Sequence, residues 1–300
     1  MLLAGIIANQ ILVMFMLMLI GFVLKRKQFL HDNGLKDMTN LLLIAVMPIV
    51  IVNAFCVPYE NNKAFKLLIC LLLSVFIHLL FIVMGRLLFK NNGMFQNAVI
   101  LSNAGFMGIP LVMAIQGVEA VFYLSAYMAV NSIVQWTYGL SKLNNQFKFS
   151  LSSIIFTPVM LAFAAGLCIF FFDIHTPKPL LTLMSHITSM NTPLAMILLG
   201  AYLDQLQVKE LKKHIIILWK PVLCRLILFP LTVFFLLSLL PNNLYDIRII
   251  YLILAASPTA LSVALFAARN NQQTAQAIEI VCLSTLLCLI TIPFLILLAG

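Results

Sequence analysis

The stretch Ser102-Asn103-Ala104-Gly105-Phe106-Met107-Gly108-Ile109-Pro110 places an asparagine, two glycines and a proline inside the apolar run at 95–116. Proline removes a backbone N–H and clashes with the preceding turn, and glycine weakens a helix. In hydrocarbon, each freed backbone group costs several kcal/mol unless protein or a wet cavity satisfies it. The stretch therefore predicts a discontinuous membrane helix. A half-helix beginning near Gly108 would point its amides at the membrane midplane, where a helix N-terminus favours anions.

A second stretch, Ser257-Pro258-Thr259-Ala260-Leu261-Ser262, carries a proline between hydroxyl residues in the apolar run at 247–268. Pro258 follows Pro110 by 148 positions. Two broken helices crossing near the midplane would present two N-termini and several neutral polar groups to one ligand. The alternative is a pair of ordinary proline kinks, in which the neighbouring hydroxyl side chains donate to carbonyls of their own helices.

The composition is that of an integral membrane protein. Hydrophobic residues make up 63% of the 300 positions and charged residues 9%, against about 25% charged residues in a soluble domain. A spanning helix needs about 20 mostly apolar residues, so the chain has room for roughly ten spans, with nine or eleven as the alternatives, and for no soluble domain. The first segment is expected to be a retained span. The predicted spans are 2–24, 38–56, 65–89, 95–116, 119–140, 151–172, 180–203, 214–240, 247–268 and 275–298.

The lysines and arginines between these spans predict the orientation, because basic loops stay on the cytoplasmic side. Two of the 18 basic residues, Lys220 and Arg225, fall within the eighth span. Four lie in even-numbered loops: Lys63, Lys66, Lys178 and Arg248. Twelve lie in odd-numbered loops: Lys25, Arg26, Lys27, Lys36, Arg86, Lys90, Lys142, Lys148, Lys209, Lys212, Lys213 and Arg269. We therefore expect cytoplasmic odd-numbered loops and both termini outside, in the cell (inner) membrane.

The pair Gly21 and Pro48 recurs as Gly166 and Pro193, with the same separation of 27 residues and an offset of 145. Together with Pro110 and Pro258, this spacing predicts two halves of five spans each. An odd number of spans per half requires the second half to insert upside down, which is an inverted repeat typical of transporters. The predicted units are a first repeat at 1–140, a short cytoplasmic link at 141–150 and a second repeat at 151–300.

The residues Asn103 to Leu111 resemble the fourth-span signature of the auxin efflux carrier family, which includes bacterial organic-acid permeases and plant PIN-type auxin exporters. The segments 40–53, 225–230 and 255–268, and the Thr291-Ile-Pro293 ending, support the resemblance. It implies an all-α membrane fold of ten spans in two inverted five-helix repeats, with broken crossover helices in spans 4 and 9. It further implies a scaffold of spans 1, 2, 6 and 7, a transport part of spans 3–5 and 8–10, an elevator-like motion and a homodimer through the scaffold. The short link at 141–150 is similar to that of the short microbial type.

The resemblance assigns substrate binding to Asn103, Gly108 and Pro110 in the fourth span and to Ser257, Pro258 and Thr259 in the ninth. Other polar residues within the spans are weaker candidates. Asn131 and Gln135 share one face of span five and could bind substrate or join helices. Ser74 and His78 share a face of span three, where a histidine could carry a coupled proton. A hydrogen-bonded packing role is the alternative for His78.

Charged groups within a span are costly, about 2.5 kcal/mol or more at the membrane centre. Arg225 is expected to face protein or water, where it could hold a carboxylate substrate or pair with Glu279. A structural ion pair and a site for substrate or coupling ions are both consistent with these two residues. Lys220 is expected near the cytoplasmic end of its span, where a long side chain can reach the interface.

The sequence contains no phosphate-binding loop, no zinc-protease motif and no Cys-x-x-Cys pair. We expect no cofactor, no metal, no nucleic-acid partner and no enzymatic activity. The partners we expect are membrane lipid and a small organic anion. The predicted function is a secondary carrier or uniporter of carboxylates such as malate, or of auxin-like acids. The alternatives are a Na⁺- or H⁺-coupled symporter of other anions and, from different classes, a channel or an intramembrane enzyme.

Overall fold

The computed structural model describes residues 2–143, 151–206, 208–269 and 273–299. Up to residue 143 it contains eight α-helices: α1 (Leu2–Arg26), α2 (Asp32–Leu41), α3 (Met47–Phe55), α4 (Asn61–Leu88), α5 (Gly93–Ile100), α6 (Ile109–Gln116), α7 (Ala120–Val134) and α8 (Leu140–Leu143). Most of the predicted link at 141–150, including Lys148, lies outside the described residues.

The described part of the chain after residue 150 contains eight further α-helices. They are α9 (Leu151–Ile155), α10 (Pro158–Phe171), α11 (Lys178–Leu203), α12 (Val208–Leu223), α13 (Phe229–Ser238), α14 (Tyr245–Ala256), α15 (Leu261–Arg269) and α16 (Thr274–Ala299). The predicted sixth span at 151–172 is not one continuous helix, because the Thr157 hydroxyl caps a new helix by accepting from the N–H of Met160.

Within the described residues, five helical segments are long and apolar enough to cross a membrane by length and composition. They are Asn9–Arg26, Asp32–Phe55, Asn61–Leu88, Glu210–Ser238 and Thr274–Leu298. Shorter apolar helices cover Ala104–Gln116 and Pro158–Phe171. The fold is therefore an all-helical multi-pass membrane fold, and the arrangement as ten spans in two inverted repeats stays a prediction.

Widened π-helical turns join several of these helices and precede prolines. The turns Leu42–Val46, Ala104–Gly108 and Cys224–Leu228 each end two residues before a proline, at Pro48, Pro110 and Pro230 respectively. A proline within a helix removes an N–H donor and clashes with the preceding turn. A widened turn accommodates this clash without ending the helix. A fourth π-turn, Gln135–Gly139, joins α7 to α8.

Helices α1 and α11 approach each other closely at two glycines. A Cβ atom at Gly21 would lie 2.0 Å from the carbonyl oxygen of Ile197, and one at Gly200 would lie 1.8 Å from that of Met18. Any side chain at either position would force the two backbones apart. Helix α3 packs against both α10 and α11. The seventh predicted span therefore contacts the first and second spans, and the second contacts the sixth.

Candidate functional site

Two interrupted helical segments meet inside the protein. The chain leaves helix α5 at Leu101 and leaves helix α14 at Ser257. Ser102 and Thr259 then face each other as an isolated antiparallel bridge. Its hydrogen bonds run from the N–H of Asn103 to the carbonyl of Pro258 and from the N–H of Ala260 to the carbonyl of Leu101, both at 2.9 Å. This pairing satisfies backbone groups that a membrane interior would leave without partners.

The position of the break differs from the sequence prediction. The second half-helix begins at Ala104, directly after the bridge, and not near Gly108. Proline does not cause this break, because Pro110 lies in the first turn of α6 after the π-turn that accommodates it. Gly108 instead lets α6 approach α14, since a Cβ there would lie 2.8 Å from Leu254 Cδ2. In the other segment Pro258 does lie within the break.

The three predicted residues of the ninth span build the crossing. The Ser257 hydroxyl bonds back to the Ile253 carbonyl at 2.9 Å, as the kink alternative expected. The Thr259 hydroxyl donates to the Ala98 carbonyl on the other broken segment at 2.8 Å, and its N–H donates to Ser284 Oγ at 3.1 Å. The Thr259 side chain therefore holds the two segments together.

Arg225 satisfies the carboxyl ends of both half-helices. Its Nε and Nη2 donate to the carbonyl of Ser257, and its Nη1 donates to the carbonyl of Val99 at 3.0 Å. The side chain is fully buried. Each helix C-terminus carries roughly half a negative charge and each N-terminus roughly half a positive charge. One guanidinium therefore offsets the two negative ends, and the two positive ends stay available.

A cavity of about 320 Å³ lies beside the crossing. Its wall includes the starts of both second half-helices, at Ala104–Phe106 and at Ala260–Ser262. Of the described residues that line it, none is charged. The polar residues of the wall are Ser102, Asn103, Asn131, Ser132, Gln135, Thr157 and Ser262, and its aromatic residues are Phe106, Trp136 and Phe266. The predicted residues Asn103, Asn131 and Gln135 thus share one cavity, whereas Gly108, Pro110, Ser257, Pro258 and Thr259 are outside its lining.

Asn103 is the residue directly before the half-helix that starts at Ala104. Its backbone carbonyl accepts from the N–H groups of Met107 and Gly108. The side chain is 4% exposed, and its amide Nδ2 is buried with no hydrogen-bond partner among the described residues. The first N–H groups of a helix also lack intrahelical acceptors. Unsatisfied donors therefore lie at the wall of the cavity, and an acceptor-rich ligand could satisfy them.

Asn131 and Gln135 fix α7 and the turn after it to the crossing. The Asn131 side chain donates to the carbonyl of Ser102 at 3.3 Å and accepts from the Ser102 N–H at 3.4 Å. The carbonyl oxygen of Gln135 accepts from the hydroxyl of Ser262 at 3.0 Å. Both contacts join different helices, so the helix-joining role that the sequence left open is present alongside the exposure to the cavity.

Ser74 and His78 lie on one buried face of α4, as their spacing predicted. Ser74 Oγ is 2.7 Å from the hydroxyl of Tyr251, and both hydroxyls contact the carbonyl of Cys70. The His78 ring contacts the Ser74 carbonyl and the Asn131 side chain. The two residues therefore belong to a polar network that reaches the crossing, although neither lines the cavity.

Arg225 does not pair with Glu279, which was one of the alternatives that the sequence left open. Glu279 instead lies 2.9 Å from Nδ1 of His214, on α12. Arg225 is oriented towards the carbonyls of the crossing, because these offer acceptors for three of its nitrogen atoms. Lys220 lies over the ring of Phe89, with Nζ 5.3 Å from the ring centroid.

Sequence reasoning missed several polar residues of the cavity. Ser102 belongs to the stretch that predicted the break, and Ser262 to its counterpart, so their closeness to the breaks was the available signal. Ser132 and Thr157 carried no such signal, since Thr157 reads as an ordinary helix cap. The Ser132 and Thr157 hydroxyl oxygens are 3.4 Å apart.

A family model described as a membrane transport protein, that of the auxin efflux carriers, matches residues 6–150 and 143–296. No curated protein matched the chain. The two matched segments cover nearly the whole sequence and include both halves of the crossing, so the chain belongs to the auxin efflux carrier family of membrane transport proteins, as the fourth-span resemblance predicted.

Proposed function

We propose that this protein is a secondary carrier or uniporter of small organic anions, such as malate or auxin-like carboxylates, and that the substrate binds in the cavity beside the crossing. The observation that carries this proposal is the placement of Asn103. Asn103 lines a cavity of about 320 Å³ at the start of a half-helix, and its buried amide donor has no partner among the described residues. Small-molecule sites usually occupy about 300–1,000 Å³.

The charge distribution supports an anion over a cation. Two half-helix N-termini contribute roughly half a positive charge each, and the described residues that line the cavity include no acid. The guanidinium of Arg225 offsets the opposite, negative ends. A carboxylate can accept hydrogen bonds from Asn103 and from the first amides of both half-helices. The aromatic side chains of the wall provide an apolar surface for the remainder of the substrate.

The proposed architecture is ten spans in two inverted repeats, with both termini outside the cell (inner) membrane. In the proposed elevator, spans 3–5 and 8–10 move against a scaffold of spans 1, 2, 6 and 7. The close glycine packing of α1 on α11 and the packing of α3 on α10 and α11 support a rigid scaffold. An apolar exposed face on α1, including Leu12, Phe15 and Leu19, is available for lipid or for a scaffold homodimer.

Counterflow in proteoliposomes tests the proposal. Vesicles loaded with unlabelled dicarboxylates, monocarboxylates or aromatic acids are diluted into a trace of the same labelled acid. A carrier accumulates the label transiently and saturably for at least one class of acid. Protein-free vesicles are the control, and wild-type protein that exchanges no member of the panel would remove the proposed substrate class.

The same experiment separates the alternatives. A channel equilibrates the label without transient accumulation and with a flux linear in concentration. A symporter shows counterflow whose rate depends on the sodium concentration or on pH, so both are varied. An intramembrane enzyme would convert the label chemically, which chromatography of the vesicle contents detects.

A further inference from the structure

His78 lies at the centre of the buried polar network between α4 and α7. Its side chain is 1% exposed. Nδ1 is 2.8 Å from the carbonyl oxygen of Ser74, and Nε2 is 3.3 Å from Oδ1 of Asn131. A carbonyl oxygen can only accept, so the Ser74 contact requires a proton on Nδ1.

The contact with Asn131 requires a second proton. The backbone of Ser102 determines which way the Asn131 amide faces: the Ser102 N–H donates to Oδ1 and the Ser102 carbonyl accepts from Nδ2. Reversing the amide would place a donor against a donor and an acceptor against an acceptor at Ser102. In the observed orientation Oδ1 faces Nε2, and two acceptors then flank the ring. A neutral imidazole has one N–H, whereas the imidazolium has two.

The groups around His78 disfavour an isolated positive charge. The guanidinium of Arg225 packs on the same helix as His78, with its Cζ 5.7 Å from the ring centroid of Phe81, which follows His78 by three residues on α4. The ring of Tyr127 on α7 packs against the His78 ring in a tilted arrangement, with 4.6 Å between ring centroids. Tyr251 on α14 and the backbone carbonyl of Cys70 lie further along the same network. Among the described residues no carboxylate forms a hydrogen bond or ion pair with His78 or Arg225. A buried charge without a counter-charge costs several kcal/mol.

An anion in the cavity would supply the missing counter-charge. Asn131 lines the cavity on one side and contacts His78 on the other. We propose that His78 is the proton site of this carrier. In this scheme Nε2 binds one proton from the side on which the carboxylate enters, and releases it to water on the opposite side when the carboxylate leaves. This proposal rests on the proposed function, since it names the ion coupled to that transport.

Proton binding also organises the cavity. The Nε2–H donates to Asn131 Oδ1. This bond stabilises the orientation in which the Asn131 amide forms hydrogen bonds with both the N–H and the carbonyl of Ser102. When Nε2 loses its proton, its lone pair opposes Oδ1 and the preference for this orientation weakens. Proton and anion therefore stabilise the same state, and linkage requires that each raises the affinity for the other.

The test measures proton movement and substrate exchange in the same vesicles. Protein is reconstituted in phosphatidylethanolamine and phosphatidylglycerol liposomes with a trapped pH dye, and the membrane potential is clamped with potassium and valinomycin. Inward gradients of malate and succinate are applied at equal pH on both sides. Wild-type protein should acidify the vesicle interior by about one proton for each malate or succinate molecule taken up. Protein-free vesicles should not acidify. Labelled counterflow of the same two acids is measured in parallel.

His78→Gln should abolish the acidification and flatten the pH dependence of exchange. His186→Gln, which replaces an exposed histidine on α11, is the matched control and should acidify like wild type. Acidification retained by a folded His78→Gln protein overturns the proposal. So does wild-type counterflow of malate or succinate without proton movement, a result that needs no variant and leaves the proposed function intact. Wild-type protein that exchanges no member of the full carboxylate panel removes both proposals.

Discussion

The guanidinium of Arg225 donates two hydrogen bonds to the carbonyl oxygen of Ser257, from Nε at 2.9 Å and from Nη2 at 2.8 Å. A third bond reaches Val99, so one side chain satisfies the ends of both half-helices. Three donors and a buried charge are lost together in Arg225→Met. Hydrogen bonds to charged groups contribute about 1.5–3 kcal/mol each. Removing the desolvation cost of the buried charge offsets part of their loss, so we expect a destabilisation of at least about 3 kcal/mol.

Thermal unfolding in detergent checks this expectation. For a chain of this size, such a loss corresponds to a fall of roughly 6–12 °C in the melting temperature. Arg26→Met is the matched control, since Arg26 is an exposed residue whose ion pair with Asp204 spans 3.4 Å. Exposed ion pairs contribute about 0–1 kcal/mol. Equal melting temperatures for the two variants would contradict a role of Arg225 at the helix ends.

The glycine contacts between α1 and α11 predict a second effect on stability. In Gly200→Ala the new Cβ would lie 1.8 Å from the Met18 carbonyl oxygen, so the helices must separate. Overpacking typically costs about 1–3 kcal/mol, and we expect the upper end because the obstructing atom is backbone. Gly5→Ala, on α1 and with no atom within 4 Å of the new Cβ, should unfold like wild type. Unfolding curves that coincide for all three proteins would argue against this packing.

Asn103 offers a test that separates folding from binding. Asn103→Asp is nearly isosteric and places a negative charge at the start of a half-helix. The helix end favours this charge by about 0.3–1 kcal/mol, which offsets only part of the cost of about 2.5 kcal/mol or more for a charge within a span. The same charge repels an anionic substrate. We therefore expect a loss of about 2 kcal/mol in stability together with loss of carboxylate counterflow. Asn103→Ala, which only removes the donor, should reduce exchange at least about tenfold while membrane insertion is retained. Normal exchange by both variants would exclude the crossing as the binding site.

The predicted orientation can be tested by labelling single cysteines in a variant that lacks the six native cysteines. Gln28→Cys in the loop after α1 should react with a membrane-impermeant maleimide only from the cytoplasmic side. Asn62→Cys, at the exposed start of α4, should react only from outside. The opposite pattern would reverse the proposed topology, and labelling of both sites from one side would contradict a crossing by the helices between them.

Composition and spacing predicted much of the fold. Helices exposed to lipid require apolar runs, and each run must satisfy its own backbone hydrogen bonds. The sequence predicted the break in the correct stretch but attributed it to the wrong cause. Proline was expected to end the helix, whereas a widened turn absorbs Pro110 and the interruption occurs at Leu101–Asn103. What interrupts the helix there is pairing with Pro258 and Ala260 of another segment. Local propensity does not encode such a long-range contact.

The candidate site was predictable where a residue adjoined a break and less so elsewhere. Asn103 and the Asn131–Gln135 face were identified and share one cavity. The hydrogen-bond partners of Arg225 were not identified, because the charged residues of a sequence do not indicate which backbone carbonyls lie at helix ends. The same limit applies to Thr157, whose place in the cavity depends on how α10 packs rather than on its own neighbours in sequence.

The bridge between Ser102 and Thr259 has a consequence for biosynthesis. The carbonyl of Leu101 and the N–H of Asn103 find their partners at Ala260 and Pro258, more than half of the 300-residue chain later. While the ribosome is still producing the intervening segments, these groups must be hydrated or held by an insertion factor. A nascent chain stopped before Pro258 should accordingly be protease-sensitive around Asn103 and become resistant once Ala260 has entered the bilayer.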